Sequence, residues 1–173
     1  MITARQNYTT QEIVIISRIC KLLNQIDICI IRRHGHESDL QRRPLTTRQN
    51  DLEGGLWFFS KASSQLINLY GSAPQVTVAV SCPILKKCAA LSGEASIVSQ
   101  NSSLAHSFIK ANASLLPSNY DPSRLTLLRV EVAHAEFWEW PEETLIHSTV
   151  ALTSQVATPD QKRTHDGQRS SVS

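Results

Sequence analysis

The stretch "LTLLRVEVAHAEFWE", residues 125 to 139, constrains the fold more than any other part of the sequence. Leu128, Val130 and Val132 recur at every second position with Arg129 and Glu131 between them, the period of a strand buried on one face. Backbone donors and acceptors along so long a strand must be paired, and antiparallel neighbours pair them over short connections.

The rest of the chain supplies such neighbours. "QVTVAVS" alternates through Val76, Val78 and Val80, and "KKCAALSGEASIV" reads as its hairpin partner, with Gly93 marking a bend or bulge. Residues 26 to 31 are short and β-branched and run into the turn-like "RRHGHESD", so "LQRRPLTT" is expected to return antiparallel to them. Pro44 has no N–H to give a ladder, which puts that strand at an edge, at a bulge, or with its backbone toward something other than a neighbouring strand. Residues 56 to 59 form a further strand, entered through "DLEGG", whose glycines suit a hairpin turn.

Helices punctuate these strands. Thr9 and Glu12 have capping-box spacing, and the apolar residues from Ile15 to Ile26 that follow keep helical period, so residues 10 to 24 are predicted helical. Leu66, Ile67, Leu69 and Tyr70 define a short helix ended by Gly71, residues 102 to 113 another, and "LLPSNYDPSR" a proline-punctuated loop. About six antiparallel strands with interspersed helices indicate an α+β chain, mainly β, folded as a closed or partly closed barrel. We assign residues 1–155 to one domain and residues 156–173, poor in large apolar side chains, to a disordered tail.

Composition narrows the function classes. The chain has 173 residues, 41% of them hydrophobic, enough for a core without metal or disulfide support. Its net charge is +2, with 17 basic and 15 acidic residues interspersed, which argues against nucleic-acid wrapping or membrane adsorption. Cys20, Cys29, Cys82 and Cys88 form no CxxC pair and read as small buried hydrophobes in a reducing compartment. No apolar run approaches the roughly 20 residues of a membrane span, and a cytoplasmic location is expected.

Few residues carry a chemical signature. His34 and His36 flank Gly35 in a predicted loop but have no third ligand, so no metal site is assigned, and no nucleophile elbow or nucleotide-loop motif is present. Arg43 in "QRRPLTT" could form a charge-assisted fork with a phosphate or carboxylate, and a solvated strand explains it equally well. Phe137 and Trp138 must face opposite sides of their strand. Ser60, Ser63 and Ser64, in "FFSKASSQL", are good helix caps and equally good anion contacts, and composition does not separate the two.

In order, "RRPLTT", "GGLWFFSKASS", "APQVTVAV", "LSGEASIV" and "LTLLRVEVAHAEFWEW" resemble the pyridoxamine 5′-phosphate oxidase-like superfamily, and within it the general stress protein 26 group. The resemblance implies a split β-barrel that forms a homodimer and binds FMN at the subunit interface. It implies that Arg43 contacts the flavin phosphate, that Pro44, Leu45 and Thr46 run beside the isoalloxazine ring, and that Phe59 and Ser60 lie at the flavin and its phosphate side. Ser64 belongs to the same hydroxyl turn, and Trp138 matches a tryptophan near the flavin. Where the family carries a phosphate-binding lysine this chain has Leu66, leaving Lys61 or Arg48 to supply the cation. The Arg-Leu-His type substrate motif is replaced by "EWPEETLIH", which argues against vitamin B6 oxidation.

The resemblance thus implies a flavin-dependent oxidoreductase or flavin carrier, with no catalytic acid or base assigned. The alternative is a barrel dimer that has lost productive FMN binding and acts as a binding or structural protein. A deazaflavin or haem in place of FMN is a further variant, because related barrels use both.

Overall fold

A computed structural model describes residues 8–36, 40–44, 55–61, 64–99, 101–116, 121 and 125–152. The expected tail at 156–173, the "DLEG" turn and most of the "LLPSNYDPSR" loop lie outside the described residues.

The first helix, α1 (Thr10–Leu23), starts at the predicted capping box. Glu12 N–H donates to Thr9 Oγ1 at 3.3 Å, and Thr9 N–H donates back to the Glu12 carboxylate at 2.7 Å. Those bonds hold the Glu12 carboxyl below its usual pKa. Ile15, Ile16, Ile19, Cys20, Leu22 and Leu23 form its buried stripe, and α1 packs on the last strand and on the long hairpin.

Among the described residues seven strands follow, with two α-helices between them: β1 (Ile28–Arg33), β2 (Leu40–Pro44), β3 (Leu56–Lys61), α2 (Ser64–Tyr70), β4 (Gln75–Cys82), β5 (Lys87–Val98), α3 (Ser103–Ala111), β6 (Leu125–Glu139) and β7 (Ile146–Ala151). All pairings are antiparallel, in the order β2-β1-β4-β5-β6-β3, with β7 paired to β6 as well. The end strands of this path, β2 and β3, lie against each other, which closes the sheet into a barrel. Pro44 thus sits at the end of an outer strand, as its missing N–H requires.

Two expectations are corrected. β3 is not the hairpin partner of β2; it pairs with β6, Leu56 opposite Val130 and Lys61 opposite Leu125. Gly55 makes this close approach feasible, because its φ of +75° suits glycine and a Cβ there would lie 2.7 Å from the Val130 carbonyl oxygen. The cysteines also divide: Cys20 and Cys29 are buried, whereas Cys82 and Cys88, near the β4–β5 turn, are only half-buried. Partial burial pushes the Cys88 thiol above its ordinary pKa, which favours its protonated form.

The core runs through the barrel. Val76, Val78, Val80, Leu91, Leu128, Val130 and Val132 line it, and Tyr70 and Phe58 are among its largest fully buried members. A smaller cluster lies outside the barrel wall, where α3 covers β3 and β6 through Trp57, Leu127 and Ala105. Phe108 stacks on Trp57 with centroids 4.5 Å apart and meets Phe59 at 5.8 Å.

The β5–β6 ladder shifts between Ser92 and Gly93. Ser92 stands opposite His134 and Gly93 opposite Val132, so Ala133 is an extra residue in β6. A Cβ on Gly93 would collide with the Glu131 carbonyl oxygen, so the bulge demands glycine. It also inverts the faces of β6: the inward residues are Leu128, Val130 and Val132 before it, and Ala135 and Phe137 after it. Trp138 faces outward because of that single residue.

Candidate functional site

The residues singled out in the sequence fall in two places. One is the seam where β2 and β3 meet. Arg43 stands opposite Cys29 and Pro44 opposite Ile28 on β2, while Ser60 stands opposite Thr126 and Lys61 opposite Leu125 at the end of β3. Ser64 is the first residue of α2, which also contains Leu66. Phe59 is half-buried and its ring packs on Phe108. Leu45, Thr46 and Arg48 lie outside the described residues. Positions 43 and 60, far apart in the chain, therefore belong to touching strands, and the serine turn opens the helix that follows.

The seam is braced at the far end of α2. Tyr70, 1% exposed, donates its hydroxyl to Gln41 Oε1 on β2 at 3.1 Å. Arg33 Nη1, at the end of β1, donates to the Leu69 carbonyl oxygen at 3.4 Å. Of the apolar face expected for this helix, Tyr70 is buried and Leu69 half-buried, whereas Ile67 is 57% exposed; the hydrogen bond, whose partners come from different elements, had no signal in the sequence.

Trp138 occupies the second place, on the outer face of β6. Its half-buried ring stacks on His147 of β7, with centroids 4.9 Å apart and planes 6° from parallel. His147 Nε2 lies 3.1 Å from Glu136 Oε2. Phe137, by contrast, is fully buried, so the two aromatics face opposite ways as expected. β7, and with it His147, was missed by sequence reasoning; the β-branched "IHSTVA" was the available signal.

Elsewhere, His34 Nε2 lies 2.9 Å from Thr77 Oγ1, which is 3.1 Å from Ser92 Oγ, a polar line across the sheet. Among the described residues, no group of three His, Cys, Asp or Glu side chains could hold a metal ion. No helix among them is long and apolar enough to cross a membrane. A hollow of about 410 Å³ beside the β4–β5 turn is lined by Cys82, Lys86, Cys88 and Trp140 among others, and by no residue of the seam or of the Trp138 pair.

An antiparallel barrel closed by β2 against β3, with helices at its wall, defines a split β-barrel protein. The family model described as "Pyridoxamine 5′-phosphate oxidase like" matches residues 15–161, and the chain belongs to that family. Among solved structures, it is similar to the general stress FMN/FAD binding protein of Xanthomonas citri, at 19% identity and a TM-score of 0.61, covering 84% of this chain and 100% of that one. A protein from Clostridium acetobutylicum related to general stress protein 26 matches at 9% identity and a TM-score of 0.57, covering 83% and 97%. A pyridoxamine 5′-phosphate oxidase-related, FMN binding protein from Nostoc punctiforme matches at 11% identity and a TM-score of 0.55, covering 86% and 99%. At these identities the likeness establishes the fold. No curated protein matches the sequence.

Proposed function

We propose that this protein binds FMN at the seam of β2, β3 and the start of α2, as a homodimer, and works as a flavin-dependent oxidoreductase or flavin carrier of the general stress type. The observation that carries the reading is the contact between β2 and β3, which makes neighbours of the Arg43 strand and the Ser60 strand. The donor set suits a phosphate: Arg43 offers a bidentate fork, and Ser60 and Ser64 offer hydroxyls. Lys61 or Arg48 supplies the second cation in place of Leu66. Pro44, Leu45, Thr46 and Phe59 flank the ring, and Trp138, which stands apart from the seam within one chain, comes near it from the other copy in the dimer. FMN, when bound, supplies a centre that accepts a hydride or electrons. The chain's own part is to bind and orient it. FMN-binding relatives of the same fold support this reading.

Exposed apolar side chains on β1 and β2 support the dimer. Ile28 is 58% and Leu40 61% exposed, more than a lone barrel gains from leaving uncovered. A second reading, favoured by Leu66, keeps the dimer without a flavin. Loss of one charge-assisted contact costs about 1.5 to 3 kcal/mol, roughly ten- to a hundredfold in affinity.

Absorption spectroscopy tests the proposal. Yellow protein that releases FMN on denaturation supports it, whereas colourless protein that also fails to bind added FMN at about 50 µM, near −6 kcal/mol, favours the second reading. A Soret band transfers the assignment to haem. Unchanged FMN affinity in both Lys61→Ala and Arg48→Ala removes those two cations from the site. A monodisperse monomer in light scattering removes the dimer.

A further inference from the structure

We infer that Tyr70 is a positioning residue for phosphate recognition: its bond to Gln41 fixes the helix opened by Ser64 against the strand that carries Arg43. This deepens the FMN reading above and rests on it.

Both walls of the seam are weak by themselves. β2 has five residues and, among the described residues, pairs in a ladder only with β1, while α2, at seven residues, is far too short to persist alone. Their relative placement must come from tertiary contacts. Tyr70 provides one from the last turn of α2, where its ring is part of the barrel core at 1% exposure. A phenylalanine would fill the same volume; what tyrosine adds is a hydroxyl that must be satisfied in that core, and Gln41 Oε1 accepts from it at 3.1 Å.

The geometry transmits this anchor to the phosphate side. Gln41 precedes Arg43 by two residues of strand, about 7 Å, and Ser64 precedes Tyr70 by six residues of helix, about 9 Å. Regular structure is stiff over such distances. The Arg33 bond to the Leu69 carbonyl oxygen ties the same helical turn to β1, so the end of α2 is held to two strands. Arg43 and Ser64 therefore keep a set separation before any ligand arrives. With the family lysine replaced by Leu66, affinity depends more heavily on that preorganisation.

Paired titrations of the full chain with FMN and with riboflavin, which has the same ring and no phosphate, test the inference. Tyr70→Phe is expected to weaken FMN binding roughly five- to tenfold and to leave riboflavin affinity unchanged. Gln41→Met, which keeps the Tyr70 ring in place and removes the acceptor, should give the same loss even if Tyr70→Phe folds poorly. The double variant should lose less than the sum of the two single losses, because the two residues share a bond. FMN affinity unchanged in both variants, or an equal loss for FMN and riboflavin, overturns the positioning role while the FMN reading stands. A wild-type chain that binds no FMN overturns both.

Discussion

The two halves of β6 follow the same alternation and end in different circumstances. Before Ala133 the strand lies between β5 and β3, with Leu128, Val130 and Val132 in the core and Leu127 buried beneath α3 on the other side. After it the strand lies between β5 and β7, with Phe137 in the core and the Trp138–His147 pair, tied to Glu136, on the outer face. In the first half the outer face carries a buried residue, Leu127, beneath a helix; in the second it carries a half-buried ring pair.

Substitutions can break that comparison, beginning with adjacent residues of the second half. Phe137→Ala should cost about 4 kcal/mol in chemical denaturation, since it empties a fully buried site, while Trp138→Ala should cost no more than about 1.5 kcal/mol. Comparable losses would mean that the outer face is structural too. Gly93→Ala forces a Cβ onto the Glu131 carbonyl and should cost about 3 kcal/mol, with changes in cross-strand amide exchange concentrated at the Ser92–His134 pairing.

Milder changes probe the first half. Phe108→Ala removes the ring stacked on Trp57 and should cost about 2 kcal/mol, with a red shift of tryptophan emission as Trp57 meets water. The smallest effect is expected far from the strand, at the start of α1. The Glu12 carboxyl has a lowered folded pKa, so its contribution is present above the unfolded value and fades as pH falls through the folded one. Acid titration followed by helical circular dichroism should show a small loss near and below the usual carboxylate pKa, absent in Glu12→Ala.

Much of this arrangement was legible in the sequence because it is local. The capping box set the start of α1, the valines set β4, and the run from Leu125 to Glu139 set β6 to the residue. Gly93 was recognisable as a bend or bulge, but not the extra residue opposite it, which depends on how two strands align. β7 escaped because only Val150 of its six residues is buried, so no alternation announces it. The choice of β6 over β2 as the partner of β3 is likewise non-local. Of the candidate site, the resemblance marked the residues at the seam; the bond between Tyr70 and Gln41 has no signature in either segment alone.

The seam has a further consequence, in time rather than space. Pairs such as β1–β2, β4–β5 and β6–β7 join strands near each other in the chain and close early. β3 must instead find β6, bringing Lys61 opposite Leu125, and that long loop makes this step the most entropically costly of these pairings. A cofactor that needs β2 beside β3 can bind only a chain that has completed that step. Ligand supply would then act as a reporter of finished protein, adding stability by mass action to mature molecules and none to partly assembled ones.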